Sequence, residues 1–576
     1  MASQVSPGVV LRERDLTNAT IVGASSLTAA FASSFQKGPI GEIVSISSEK
    51  QLVSVFGTPK EANAEDWMVA AEFLGYGGQL AVVRAETGAL NAASGGSGVL
   101  IKNDLEWEAG VGAANVFAAR TAGTWGNSLK VVAVDRGADQ ILTLASAPAT
   151  TALNTAFTTV SGKAGRIYSW DAATSELAVI LDNPTTLITT ADIFDEPGDG
   201  VVTAVTAGAY SGLGSQNGVH TADPTGGSGT GLRVDVTIDA GGAVTGVAIT
   251  QGGTGYVANE TVTVAAADLG TGATTDLTIT IDTVTNDNIA ISSVKDWYTN
   301  TTIGSTGLKL AAIGPRPGTS EFASARGLSY DELHVAVIDT TGDVSGAANT
   351  VLERFTYLSK LSDGKGAEGQ SVYYKDVVNQ ESQYIFHGAA LTNTIEPVSG
   401  GNGKALGVAS TTLASGDKFL LLADNATDLA DGADDYAYTA GEVNAAYDLF
   451  LDTEETTVDF VLMGGSMASE NDTKSKAQKV VAIAAGRKDC IAFVSPHRGN
   501  QIGTGGTALS ATEQRTNTLN FFNSITSTSF AVLDSGYKYM YDRFNDSIVT
   551  SHVTVTLLVY VSTLQQLLLI GSHLLV

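Results

Sequence analysis

The chain has 576 residues, 43% of them hydrophobic and only 16% charged, with 64 glycines and a formal net charge of −28. Those figures allow several sizeable cores, suit roughly three to five domains and exclude a globally disordered chain. The acidic balance argues against nucleic-acid binding, which needs a basic face to displace counterions, and against docking on anionic membranes. The single cysteine, Cys490, sits in the apolar run Cys490-Ile491-Ala492-Phe493-Val494. No intrachain disulfide or cysteine zinc cluster can form, and burial is expected for it. The first residues carry no apolar core of a secretion signal, so none is expected.

Taken in order, residues 1–20 read as an extended arm, because Pro7 and Gly8 block a helix ahead of the charged run Arg12 to Asp15. Ile21 to Ala32 and Ile40 to Ile46 read as strands around the turn Lys37-Gly38-Pro39, and Ser54-Val55-Phe56-Gly57 closes another element. Asn63 to Gly75 predicts a helix with Trp67, Ala70, Ala71 and Leu74 on one face; Gly77-Gly78 stops it, and Leu80 to Arg84 is a strand. Residues 89–205 read as short strands and turns, with Trp125-Gly126-Asn127 turning into an alternating strand. From 222 to 284 the sequence alternates with period two between Gly-rich turns, with Arg233 as its one base. This predicts an antiparallel meander with an acidic surface, a separate inserted β module.

The stretch Val294 to Asp339 organises the C-terminal half of the chain. Leu333 to Ile338 is apolar except for His334, which suits a strand buried on both faces, as in a parallel sheet. A turn at Thr340-Thr341-Gly342 and a helix from about Ala347, with Leu352, Phe355 and Leu358 on one face, would make it the opening of a βα unit. Strands at Gln383 to Phe386, Val458 to Met463, Asp489 to Val494 and Ser529 to Leu533 alternate with helices at Thr473 to Ala485 and Ala511 to Ile525. The expected fold class is therefore α/β and α+β, multidomain, with a doubly wound mixed or largely parallel sheet and inserted β-rich domains. The expected organisation is an arm at 1–20, a first core segment at 21–88, a β-rich insertion at 89–205, a Gly-rich module at 206–290, an α/β core at 291–546 and an aberrant tail at 547–576. Residues 400–440 read as a small-residue loop region with a solvated acidic tip at Asp431 to Asp435.

No pattern carries catalysis, a cofactor or a metal. Gly400-Gly401-Asn402-Gly403-Lys404-Ala405 lacks both the first glycine and the Ser/Thr of a phosphate loop, and reads as a solvated hairpin. Gly464-Gly465, after the strand at 458–463, is a weak signal for a phosphate seat. Of the histidines His220, His334, His387, His497, His552 and His573, His334 with Asp331 or Asp339 is the best-placed pair. Asp331 and His334 have opposite strand parity, however, and no G-x-S-x-G elbow occurs, so a structural histidine is expected. The acids from Asp424 to Asp435 do not match calcium-loop spacing.

Several short motifs together resemble one family, the tail sheath proteins of contractile-tailed bacteriophages, of the large virulent myovirus type. They are Ser6-Pro7-Gly8-Val9, Lys37-Gly38-Pro39, Gly57 and Thr124-Trp125-Gly126-Asn127-Ser128-Leu129, then Val294-Lys295-Asp296-Trp297-Tyr298 and Pro315-Arg316-Pro317-Gly318-Thr319-Ser320. Asp331-Glu332-Leu333-His334, Val372-Tyr373-Tyr374-Lys375-Asp376, Ser495-Pro496 and Asp534-Ser535-Gly536-Tyr537-Lys538 complete the set. The resemblance implies a non-enzymatic subunit without cofactors, stacking as hexameric rings around a tail tube and contracting to drive it through the host envelope. It implies partners in further copies, the tube protein, and baseplate and terminator proteins, and a place in the virion tail after assembly in the host cytoplasm. It also implies a subtilisin-like core by fold analogy, and an N-terminal arm, here Ser6, Pro7, Gly8, Val9, Val10 and Leu11, that adds a strand to a neighbour's sheet. Two other readings compete: an α/β hydrolase, and a membrane-anchored Gly-rich β surface protein.

From Ser547 to Val576 there is no Asp, Glu, Lys or Arg. Hydropathy alone makes this a candidate membrane span. The family resemblance lapses there, and codons for these residues can be chosen so that a frame shifted by one nucleotide spells the N-G-D, A-G-L and W-F-S-P-A-G motifs that the resemblance implies. The expectation is a frameshift, no membrane insertion, a poorly packed tail from 547 onward, and a chain that as written forms no linked lattice.

Overall fold

The structure is a computed structural model that describes residues 27–556, apart from 86–87, 149, 196–199, 211–216, 286–287, 398–401, 424–425 and 504–505. The expected N-terminal arm, with Ser6, Pro7, Gly8, Val9, Val10 and Leu11, lies outside the described residues, as do 557–576. The chain divides into two compact units: Met1–Ala113 with Ala118–Asn127 and Leu429–Val576, and Ala114–Phe117 with Ser128–Asp428.

The first unit is built on a six-stranded sheet in the order Ile43–Ile46, Gln79–Arg84, Thr28–Ser33, Phe460–Leu462, Ile491–Val494, Ala531–Leu533. Neighbours run parallel except at the Ile43–Ile46 edge, which is antiparallel. Strand alternation sends Ala29 and Phe31 to one face and Ala30 and Ala32 to the other, and both faces are covered. Phe31 packs with Trp67, Phe73 and Phe56 of the helices Ala64–Gly75 and Glu49–Phe56. Ala30 and Ala32 face Tyr447, Val480, Ala484 and Phe521 of the helices Ala440–Asp448, Glu470–Arg487 and Ala511–Asn523, where small strand residues admit close helices. Ser48, Thr439, Ser469 and Ser510 cap four of these helices, Thr439 and Ser510 in full capping boxes with Glu442 and Glu513. Cys490 lies in this core, and burial pushes its thiol up to about 11. The sheet is thus mixed and doubly wound, the class expected.

The second unit is β-structure throughout its larger elements. A closed barrel is formed by Gln140–Leu144, Ala156–Thr159, Ala164–Asp171, Glu176–Leu181, Ile193–Asp195 and Ile289–Asp296. Residues 201–285 form two three-stranded antiparallel sheets over one core that includes Leu232, Val234, Val236, Val262, Ile279 and Ile281. Thr230–Ile238 alternates buried and exposed residues there, as the period-two pattern requires. A four-stranded antiparallel sheet follows the order Thr350–Ser359, Glu332–Asp339, Leu129–Val134, Ala426–Asp428.

That last sheet corrects three readings. Glu332–Asp339 is buried almost throughout but its neighbours are antiparallel, so burial on both faces did not mean a parallel sheet. Thr350–Ser359 is its partner strand, not a helix. Register shifts between Leu333 and Val335 and between Val337 and Ile338 insert extra residues opposite them. These bulges produce the three-residue spacing of Leu352, Phe355 and Leu358 that mimicked a helical face. Leu129–Val134 is buried at every position rather than alternating. In the first unit, the start of the tail also differs from expectation. Ser547–His552 pairs with Tyr537–Asp542, and Ser551, His552, Thr554 and Val555 are buried, so the stretch is packed from Ser551 to Val555 while Ile548 stays 72% exposed.

These cores set two expected outcomes. Trp67 is 1% exposed and its indole N–H donates to Gly57 O at 3.1 Å. Trp67→Ala lowers the unfolding free energy in urea by about 3–5 kcal/mol, whereas Tyr539→Ser, at a ring 77% exposed, stays within about 0.5 kcal/mol. His387 packs between the rings of Phe117 and Tyr374, and burial, with Lys375 nearby, pushes its imidazole down to about 3 from 6.5. The folded state then binds fewer protons than the unfolded one, so this contribution is complete above pH 6.5 and is lost as pH falls toward 3. His387→Phe flattens the acid limb of stability by up to about 1.4 kcal/mol per pH unit, read from urea midpoints between pH 7 and pH 5.

Candidate functional site

Within each unit, several of the described motif residues, distant in sequence, are joined by hydrogen bonds and ion pairs. In the second unit, Asp331 is fully buried and accepts the Ser320 N–H at 2.8 Å and the hydroxyls of Ser320 and Ser359 at 2.7 and 2.6 Å. Glu332 accepts the Gly318 N–H, and Thr319 Oγ1 accepts the Tyr330 N–H. The Tyr298 hydroxyl donates to Gly314 O, and Arg316 pairs with Asp296 at 3.0 Å and Asp139 at 3.5 Å. The three motif segments at 294–298, 315–320 and 331–334 therefore form one hydrogen-bonded joint.

His334 lies within that joint. Its Nδ1 accepts the Tyr357 N–H at 3.0 Å, and its Nε2 stands 2.7 Å from Pro315 O, which can only accept. Those two contacts require the neutral ring with its proton on Nε2, and leave no lone pair for substrate. Neither Asp331 nor Asp339 is its partner. Asp339 holds the following turn, and although burial opposes it, the N–H groups of Ser345, Gly342 and Val344 keep its carboxyl below the usual range. The best-placed pair in the sequence is not brought together.

Beside this joint lies a feature that no sequence pattern announced. Lys360 has no exposed surface, and its Nζ lies 2.6 Å from Asp135 Oδ2 while donating to Tyr330 O at 2.7 Å and Leu420 O at 3.0 Å. Asp135 Oδ2 also accepts the Leu422 N–H at 2.8 Å. The only sequence signal is a lysine placed directly between Ser359 and Leu361, at the buried end of an otherwise half-exposed strand.

In the first unit, buried Arg84 donates to Gly38 O and Ala122 O at 2.9 and 2.8 Å, which ties the Lys37-Gly38-Pro39 turn to the segment before Trp125. Gly57 has φ +82, and a Cβ there would lie 2.5 Å from Gln36 Oε1. Asn127 exchanges two hydrogen bonds with Gly432, and Asp434 accepts both the N–H and the hydroxyl of Thr124. Asp435 accepts from Gly88 and Ala437. The acidic tip is therefore partly a set of acceptors, not a wholly solvated loop. Ser495 donates to Asp534 at 2.7 Å, and the Tyr537 hydroxyl donates to Pro496 O at 2.9 Å; burial raises the Asp534 carboxyl.

The Gly-Lys stretch forms no cradle among the described residues: Gly403 N–H is taken by Glu396, and Lys404 lies 3.5 Å from Asp417. Among the described residues no group of three or more His, Cys, Asp or Glu could hold a metal, and no helix is long and apolar enough to cross a membrane. The arrangement is one of joints. Lys360→Met strands a buried carboxylate and lowers stability by about 3–5 kcal/mol, while the double change with Asp135→Leu costs less than Lys360→Met alone, measured by urea unfolding.

No family model matches the chain. It is 25% identical over 552 residues to the tail sheath protein of Enterobacteria phage T4, covering 94% of this chain and 70% of that protein. It is 24% identical over 558 residues to the tail sheath protein of Salmonella phage ViI, covering 95% and 68%, and 24% identical over 577 residues to that of Vibrio phage KVP40, covering 94% and 71%. Among solved structures, a sheath tail protein of Listeria innocua is matched over 92% of this chain and 68% of that one, at 9% identity and a TM-score of 0.25. Three named relatives, each matched across about 95% of the sequence, agree with the sequence motifs: over nearly its whole length the chain is similar to phage tail sheath proteins.

Proposed function

We propose that the chain is the repeating subunit of a contractile tail sheath. It stacks as hexameric rings around a tail tube, between baseplate and terminator proteins, and its contraction drives the tube through the host envelope. The observation that supports this reading is that several motif residues join segments of the chain instead of lining a reactive cleft. Asp331, His334, Arg316, Ser495 and Asp534 are spent on holding segments together, which suits a subunit that must transmit force as a body. The arm, Ser6 to Leu11, adds a strand to a neighbour's sheet. Assembly takes place in the host cytoplasm and the product is part of the virion tail.

We further infer that residues 547–576 are read out of frame. Around residues 551–556, Ser551 Oγ, His552 Nδ1 and Glu72 Oε2 are buried without hydrogen bonds, while Thr554 and Thr556 donate to Asp534 Oδ2 and Glu72 Oε1. His552 Nε2 stands 3.0 Å from Glu65 Oε1 without hydrogen-bond geometry. Each buried orphan costs about 1–3 kcal/mol, so this seat suits a different strand.

Both readings are tested together. Sequencing the gene across codon 547 gives a shifted frame that continues without stops into sheath-like sequence; stops in that frame refute the frameshift. Electron microscopy of the frame-restored protein shows ordered tubes, while the 576-residue chain and a restored chain lacking residues 1–20 show none. A restored, folded chain that stays monomeric at high concentration refutes the sheath reading.

A further inference from the structure

The Gly464-Gly465 pair, a weak phosphate signal in the sequence, lies just past the carboxyl end of Phe460–Leu462. Phe460–Leu462 pairs with Thr28–Ser33 at the centre of the mixed sheet. From Thr28–Ser33 the chain adds strands on one side, and from Phe460–Leu462 on the other. This is the topological switch point, where doubly wound sheets open a crevice for ligands. A groove of about 740 Å³ is present there, lined in part by Glu65, Tyr436, Tyr438, Ser466, His497 and Arg498.

The position a phosphate oxygen would take is filled by a side chain. Asp66, 6% exposed and in the first turn of Ala64–Gly75, accepts the Gly465 N–H on Oδ1 at 2.5 Å. The ammonium of Lys476, which has no exposed surface, lies 3.5 Å from the same oxygen. The Tyr438 hydroxyl donates to Oδ2 at 3.1 Å. Lys476 also donates to Gly465 O at 3.1 Å and to the Tyr438 oxygen at 3.3 Å, so the donors are held by one another as well as by the carboxylate. Gly464 has φ +73, and a Cβ there would overlap Asp66 Oδ1, so the backbone is shaped to let an anion approach. A main-chain N–H, a buried ammonium and a phenol converging on one carboxylate form a donor set suited to a tetrahedral oxyanion.

We propose that this cradle is an oxyanion site occupied by the protein's own Asp66, and that inorganic phosphate takes its place when the carboxylate is removed. The inference does not depend on the sheath reading. The full chain carrying Asp66→Ala is melted in phosphate and in chloride at matched ionic strength, beside the unaltered chain. Asp66→Ala melts lower than the unaltered chain in chloride and regains stability in phosphate along a saturating curve, while the unaltered chain gains only the shallow, unsaturating increment of a general salt effect. Adding Lys476→Met abolishes the saturating response. Asp66→Asn, which keeps the space filled, does not show it. If Asp66→Ala is unfolded in chloride, recovery of the folded chain in phosphate supports the proposal and absence of recovery overturns it. A phosphate response of Asp66→Ala no larger than that of the unaltered chain, or one that survives Lys476→Met, also overturns it.

Discussion

The second unit depends on one buried charge. Lys360 carries its ammonium into a site with no exposed surface, and it is tolerable there only because Asp135 and two carbonyls surround it. Satisfying that charge fixes the end of Thr350–Ser359, the turn at Tyr330 and the segment at 420–422 relative to Leu129–Val134. The next residues outward, Asp331 and His334, then clamp the Pro315 to Ser320 loop. An ion pair of this kind contributes little net stability against an apolar replacement. What it contributes is a single permitted arrangement, since any shift of these segments leaves a charge unpaired.

The first unit shows the same economy in another fold. Asp66 and Lys476, on two helices that cover opposite faces of the sheet, meet over its carboxyl ends at Gly465. Arg84 does the same for the Gly38 turn. In both units a buried polar group leaves its segments one permitted arrangement, because any shift would leave that group unpaired.

How much of this was legible in the sequence depended on distance along the chain. The strands at 460–462, 491–494 and 531–533 were visible because each is a short apolar run next to a well-capped helix or a glycine pair. The Gly-rich sheets were visible because Thr230–Ile238 keeps strict alternation. Thr350–Ser359 was misread because two bulges spaced its apolar residues as a helix spaces them, although Thr350, Val351, Phe355 and Tyr357 favoured a strand. The joints were not legible at all. Asp66 and Gly465 are 399 residues apart, and Asp135 and Leu422 are 287 apart, so no local pattern records them. The family resemblance marked which residues mattered, but not that they matter to one another.

The claim that the motif residues are structural joints is tested most directly by native-state hydrogen exchange of the amides that they accept. In the second unit these are Ser320 N–H on Asp331, Tyr357 N–H on His334 and Leu422 N–H on Asp135. All three are expected to exchange only through global unfolding of that unit, with the protection of the Val335 and Val337 amides in its central strand. Exchange of the three amides through local opening, orders of magnitude faster than those strand amides, would contradict the account and return these residues to a mobile, functional surface.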